Sequence, residues 1–397
     1  MPDVVKLNIK PKTDEPDFEK PKEEEEFQRK EPDKIPEDIE ALRKQTLSID
    51  ELLIFTTEHN CSDLYIKTFE QPYISRFGKI TRVPCAPISK DTWATFYDRY
   101  ILNELNAGYV RQKLLDTSVA IRVPETSPNY GKYPNNVYRY RVSFGFSEEK
   151  NVATFRMIKP EQPTFDTINY NPKCVKALRR AYMKPSGICY ETGPTGSGKS
   201  TTMAACINTF TQPGDILDNK VFITLEDPIE NIFDSTDSVK ISQKELGKDF
   251  LSFGLGIKAA LREHPNIIIV GECRDKEVIC AAIEAARTGH VTSTTFHASD
   301  VPGTINRLLY HLDNDKNLSL DLILQLNIIL SQKMLKQDGK YLVDTQFMLF
   351  EDEITRRLVD LLDDPDANLS KEITKMIEDP ELQEKGLVKD WDYKHLH

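Results

Sequence analysis

Long apolar runs are the first thing missing from this 397-residue sequence. A bilayer span needs roughly 18 or more uncharged apolar residues. The best run, Leu318 to Leu330, is interrupted by Asp321, Gln325 and Asn327, so an integral membrane protein is not expected. Met1 to Lys10 lacks a basic stretch followed by an apolar one and leads into a Lys/Glu/Pro tract, so a cytoplasmic protein is expected. The seven cysteines (Cys61, Cys85, Cys174, Cys189, Cys206, Cys273 and Cys280) contain no C-x-x-C pair, which argues against a disulfide framework or a zinc site. Basic charge is short as well: 52 Lys and Arg face 63 Asp and Glu, a net charge of −11. A protein that coats nucleic acid would carry the opposite balance. What remains is 39% hydrophobic and 29% charged residues, enough for a packed core under a hydrated surface and for two or three domains.

Composition divides the chain. Residues 1–47 hold Pro2, Pro11, Pro16, Pro21, Pro32 and Pro36 around Glu23-Glu24-Glu25-Glu26, with few aliphatic side chains. Such a tract cannot bury enough apolar surface to offset its ordering entropy, and it reads as a disordered acidic tail, either solubilising or docking to a basic partner. Residues 48–160 read as a small α/β domain. Ser48 caps a helix, Leu64–Ile66 and Tyr73–Phe77 read as strands with a turn at Gly78-Lys79, and a helix is expected over Ser89 to Asn106. A second hairpin is expected from Val137–Phe146 and Asn151–Ile158. A linker at 161–170 leads to a larger segment, 171–345, and a helical C-terminal region and tail close the chain at 346–397.

The larger segment carries the chemistry. A short apolar strand, Ile188-Cys189-Tyr190, runs into Gly193-Pro194-Thr195-Gly196-Ser197-Gly198-Lys199-Ser200-Thr201 and then a helical run to Phe210. Strand, glycine-rich G-x-x-x-x-G-K-[ST] loop and helix form the setting of a phosphate-binding loop, whose backbone N–H groups converge on phosphate oxygens at a helix N-terminus. Lys199 is placed to reach the β- and γ-phosphates, and Ser200 to ligate Mg²⁺. Two further apolar strands end in acids: Val221–Leu225 in Glu226-Asp227-Pro228-Ile229-Glu230, and Asn266–Val270 in Gly271-Glu272. In a doubly wound sheet these strand ends lie where the nucleotide binds, so Glu226, Asp227, Glu230 and Glu272 are candidates for holding the metal's waters and orienting the attacking water.

Together GPTGSGKSTT, LEDPIE, LREHPNIIIVGECRD and ARTGHVTSTTFHASDVPGTINRL resemble the secretion ATPases of the PilT and GspE type. The resemblance implies a RecA-like ATPase domain at 171–345, preceded by a PAS-like domain that CSDLYIK would open, and a homohexamer using ATP and Mg²⁺. It implies that Glu230 polarises water and that Glu272 acts on Mg²⁺ through water. The histidines His290 and His297 would sense the γ-phosphate, and Arg141 and Arg156 would face phosphate from the small domain. Arg262, Arg274 and Arg307 are further candidates, the last two reading rather as surface or interface arginines. The chain has no four-cysteine module and no AIRNLIRE-like C-terminal segment, and so looks more like the DotB and TraJ ATPases of type IVB secretion and IncI conjugation. The expectation is a motor at the cytoplasmic face of the inner membrane, working with secretion-system components and not with nucleic acid. Alternatives are a pilus-retraction motor, a RecA-type nucleic-acid translocase, and a non-hydrolysing structural subunit.

Overall fold

The computed structural model describes residues 36–101, 115–133, 136–158, 162–337 and 340–392. Two sheets organise them.

The smaller sheet is antiparallel, in the order β3-β2-β1-β6-β5-β4. Its strands are β1 (Cys61–Lys67), β2 (Tyr73–Arg76), β3 (Lys79–Arg82), β4 (Leu115–Arg122), β5 (Val137–Ser147) and β6 (Lys150–Ile158). Alternation puts Leu64, Ile66, Tyr138, Tyr140, Val142 and Phe155 on one buried face. That face is covered by helices α2 (Ile49–Glu58) and α3 (Lys90–Tyr100), from which Trp93 and Phe96 pack against Phe144 and Phe155. A capping box starts α2: the Ser48 hydroxyl accepts from the Glu51 amide at 3.2 Å, and the Glu51 carboxylate accepts from the Ser48 amide at 2.8 Å. The other face of the sheet carries polar side chains, among them Arg141 and Arg156, which are register partners on β5 and β6.

The structure differs from the sequence reading at the start of this domain and in the linker. The packed domain begins before residue 48. Helix α1 (Glu37–Glu40) buries Ile39 in the small core, Asp38 pairs with Arg76 at 2.7 Å, and Lys44 and Gln45 bond the Pro84–Ala86 backbone. One isoleucine and a short backbone ladder anchor a stretch whose composition alone looks unable to fold; the rest of the expected tail, 1–35, lies outside the described residues. Residues 102–106 of the helix expected over Ser89 to Asn106 also lie outside them. The linker, for its part, is no free tether, since Phe165 packs at a tilt against both Tyr170 and Phe210 in the larger core.

The larger sheet has eight strands in the order β14-β13-β12-β7-β11-β10-β8-β9. These are β7 (Gly187–Thr192), β8 (Val221–Glu226), β9 (Lys240–Glu245), β10 (Ile267–Val270), β11 (Val291–Phe296), β12 (Leu326–Gln337), β13 (Lys340–Leu349) and β14 (Val388–Lys389). From β12 to β9 all neighbours run parallel, whereas β12, β13 and β14 pair antiparallel. Strands buried on both faces read as continuous apolar runs, as Ile267–Val270 does. Helices α4 (Pro172–Tyr182), α5 (Lys199–Phe210), α6 (Phe253–Ala260), α7 (Lys276–Arg287), α8 (Val301–His311) and α9 (Lys316–Gln325) cover the sheet. After the hairpin come α10 (Asp352–Asp363), α11 (Leu369–Glu378) and α12 (Pro380–Glu384). The expected boundary at 345 therefore falls inside β13, and the C-terminal region is not wholly helical, because β14 returns to the sheet beside β13. The Leu318–Leu330 run divides between α9 and β12, and among the described residues no helix is long and apolar enough to cross a membrane.

Candidate functional site

Parallel pairing of β7, β11, β10 and β8 brings their C-terminal ends to one rim. There β7 ends at Thr192, and the chain turns through Gly193, Gly196 and Gly198, all with positive φ, into α5 at Lys199. Glycine is required at 193, where φ is 149° and a Cβ would stand 2.3 Å from the Gln332 carbonyl and 2.6 Å from the Ser197 hydroxyl. The Lys199 amine donates to the carbonyls of Gly193 at 2.9 Å and Pro194 at 3.0 Å. Burial holds its pKa below the ordinary lysine value, against the opposing pull of Glu272. Ser197 Oγ is buried in the loop without a hydrogen-bond partner in the protein, a polar group that suits a loop built for phosphate oxygens.

Gln332, on β12, fixes the loop from beneath. Its amide nitrogen donates to the Ser197 carbonyl at 2.6 Å, and its oxygen accepts from the Thr202 hydroxyl at 2.9 Å and the Tyr170 hydroxyl at 3.1 Å. No motif marks this residue. The signal available was a pair of polar residues, Ser331-Gln332, closing the apolar run Ile328–Leu330.

The acids gather on the same rim, around a cleft of about 560 Å³ lined by Lys199, Ser200, Glu226, Asp227, Glu230 and Glu272. Glu226 accepts from the Thr224 hydroxyl at 2.6 Å and the Gln243 amide at 3.0 Å, and burial pushes its pKa up to about 7. Gln243 also donates to the Asn231 carbonyl at 2.7 Å, which ties the acidic loop to β9. Asp227, before a cis Pro228, is raised above the usual carboxylate range by burial. Gly271 lies close under β8, where a Cβ would come 3.2 Å from the Leu225 carbonyl, and this seats Glu272 at the mouth of the cleft. Glu272 meets Arg274 at 2.7 Å and His297 at 3.3 Å. From the smaller sheet, Arg141 reaches Glu230 at 2.8 Å.

The two histidines part company. His297, at the C-terminal end of β11, lies in the cleft, and burial followed by the Lys199 charge holds its pKa below the ordinary value. His290 is at the other end of that strand. Its carbonyl accepts from the Gly187 amide where β7 begins, and its Nδ1 is 3.2 Å from the Ala285 carbonyl. Seven residues at about 3.3 Å each separate the two histidines by roughly 20 Å, so within one chain His290 is not on the nucleotide side, contrary to the expectation. Two histidines in one motif read as one site, but the motif contains a whole strand and so spans both rims.

The arginines also sort differently. Arg156 is 71% exposed, pairs with Asp63 at 2.8 Å, and lines a neighbouring cleft with Arg141, Ser200, Thr201 and Glu230, away from Lys199 and Glu272. Arg274 is at the surface as expected, 53% exposed, but it also lines the cleft, where it bridges Glu272 and Asp227, the latter at 3.7 Å. Arg307 donates to the His297 carbonyl and lies over the Phe296 ring, behind the cleft. Arg262 is exposed in the turn Leu261–Glu263.

Comparison with known proteins places these features in a wider set. The family described as type II/IV secretion system protein matches residues 46–341. The type IV pilus retraction ATPase PilT of Pseudomonas aeruginosa PAO1 is 32% identical over 300 residues, 74% of this chain and 79% of that protein. The X-ray structure of the Legionella pneumophila ATPase DotB aligns with a TM-score of 0.72 and 26% identity, over 88% of this chain and 96% of that one. The pilus retraction motor PilT with bound ADP aligns with a TM-score of 0.68 and 26% identity, over 84% and 90% of the two chains.

Proposed function

This chain belongs to the type II/IV secretion system protein family and is a RecA-like ATPase of the PilT and GspE kind, and from that premise we propose that it is a homohexameric motor of a type IVB-like secretion or conjugation system. The observation that carries the hydrolytic part is the single cleft uniting the loop lysine Lys199 with Glu272 and the Arg141–Glu230 pair. The IVB-like assignment is supported by the DotB likeness, which extends over 96% of that chain. The identity to P. aeruginosa PilT favours a second reading, a pilus-retraction motor. Deleting the gene in its host separates the two, since loss of conjugation or secretion with twitching intact supports the first and the reverse supports the second.

In the proposed mechanism, backbone N–H groups of residues 195–201 cradle the ATP phosphates and Lys199 meets the β- and γ-oxygens. Glu230 orients the attacking water and accepts its proton. Arg141, paired with Glu230, stabilises charge that develops on the transferred phosphoryl group. Neutral His297, between Glu272 and the Arg307-held backbone, contacts the γ-phosphate and registers its departure. Burial leaves Glu226 partly protonated near neutral pH, and its bonds to Thr224 and Gln243 order the acidic loop. The donor set suits Mg²⁺: a hydroxyl and carboxylates line the cleft, and among the described residues no cluster of three or more metal-ligating side chains forms a cage. A metal that shares its shell with waters and phosphates needs no cage. Ser200 and Glu272, with Asp227, would hold it, and it would neutralise charge on the β- and γ-phosphates. Hydrolysis alters the fit of the small sheet against the large one, and the hexamer turns that into work at the cytoplasmic face of the inner membrane.

Steady-state ATPase assays with size-exclusion mass test this reading. The wild type is expected to turn over as a hexamer, Lys199→Ala to lose turnover, and Glu230→Gln to bind ATP while losing about 10²-fold or more in kcat. A wild type with no turnover above Lys199→Ala would sink the motor and leave the structural subunit.

A further inference from the structure

Glu245 ends β9 at 1% exposure and takes no part in the chemistry just described. One of its oxygens accepts from the Thr117 hydroxyl at 2.6 Å and the Ser118 amide at 2.9 Å. The other accepts from the Ser118 hydroxyl and, at 3.3 Å, from the Ile229 amide. Lys248 stands 2.8 Å away and itself donates to the Ser118 carbonyl. Thr117 and Ser118 belong to β4 of the small sheet, so one buried carboxylate joins the edges of the two sheets.

Its neighbours in the ladders give the join a meaning. In the β8–β9 pairing Glu245 stands beside Glu226, and in the β4–β5 pairing Ser118 stands beside Arg141. Ile229 directly precedes Glu230. Each backbone point that Glu245 holds is thus one step from a residue of the proposed hydrolytic site. We propose that Glu245 is a positioning residue for ATP hydrolysis, fixing β4 against β9 so that the Arg141 guanidinium meets Glu230. This rests on the reading of Arg141 and Glu230 as parts of that site. Strand ladders transmit displacement nearly rigidly, so a shift of Ser118 is a shift of Arg141, and a misplacement of about 1 Å can cost about 10²-fold in rate. Lys199, Ser200 and Glu272 sit on other elements and are untouched by such a shift.

The test uses the full chain carrying Glu245→Gln, and separately Thr117→Val with Ser118→Ala. Both are expected to lower kcat about 10- to 100-fold while KM stays within about twofold, because nucleotide binding is left intact. In an Arg141→Ala background, Glu245→Gln is expected to lower kcat no further, as for two residues acting through one contact. Amide hydrogen exchange at Thr117 and Ser118 is expected to quicken in Glu245→Gln. A folded Glu245→Gln with wild-type kcat, an equal loss with and without Arg141, or unchanged exchange at Ser118 would overturn the proposal. If Glu245→Gln does not fold, the β4 double variant decides by the same kcat and KM criteria. An inactive wild type would strike the hydrolytic reading instead, and the exchange measurement would still judge whether Glu245 holds β4.

Discussion

Glu191 stands two residues before the phosphate-binding loop, on β7, with no exposed surface. Its partners are neutral hydroxyls, Ser293 at 3.0 Å and Tyr182 at 3.4 Å. Burial pushes its pKa from 4.5 up to about 8. The unfolded chain releases this proton near pH 4.5 while the folded chain keeps it, so the stability that the protonated group contributes is complete below pH 4.5. It is lost progressively as pH rises to about 8, on the order of 4–5 kcal/mol in all. Glu191→Gln removes the titration. The difference in Tm between variant and wild type, followed by calorimetry from pH 5 to 8, is expected to grow in favour of the variant; parallel curves would mean that the carboxyl is not neutral in the fold. At this scale the motif residues were legible in the sequence because the phosphate loop and each strand-end acid are contiguous with the strand that presents them. Gln332 and Glu245 were not, since their partners lie 135 and 127 residues away, and polarity at one position does not say what it faces.

Elements were legible where one face repeats and hidden where the buried face is polar. The β5–β6 hairpin alternates visibly and was expected almost to the residue, with its turn at Glu148-Glu149 in positive φ. Strand β4 escaped notice because Thr117 and Ser118, buried by contact with Glu245, interrupt its apolar pattern. Strand β9 reads KISQKE for the same reason, its side chains serving the acidic loop and the sheet junction. Helix α1 is the opposite case, too short for any period to show, yet fastened by one buried isoleucine and the Asp38–Arg76 pair. Ile39→Ala is accordingly expected to cost about 2–4 kcal/mol, the range of a large-to-small change in a core, measured by urea denaturation. A loss below about 0.5 kcal/mol, as at exposed sites, would return this stretch to the tail.

Across the whole molecule, the C-terminal segment closes the large sheet. The Lys389 amine donates to the Thr345 carbonyl at 2.7 Å, Gln346 bonds Asp390 at 3.0 Å and accepts from the Val301 amide at 2.9 Å, and Leu382 is fully buried. Truncation after Asp379 is expected to lower Tm by on the order of 5–10 °C in calorimetry; an unchanged Tm would make this closure dispensable. Connectivity has a further effect on the order of assembly. The small sheet is complete once Ile158 is made, because β1 pairs with β6, its latest partner. The loop strand β7 must wait for β11 and β12, more than a hundred residues downstream of it, and β12 for its hairpin partner ending at Leu349. At about 5–20 residues per second of synthesis, a ribosome spends on the order of 10–40 s between those two points. The nascent chain therefore carries a finished small sheet, with Arg141 on its strand but without the Glu245 contact that positions it, for that interval before the loop it serves can close.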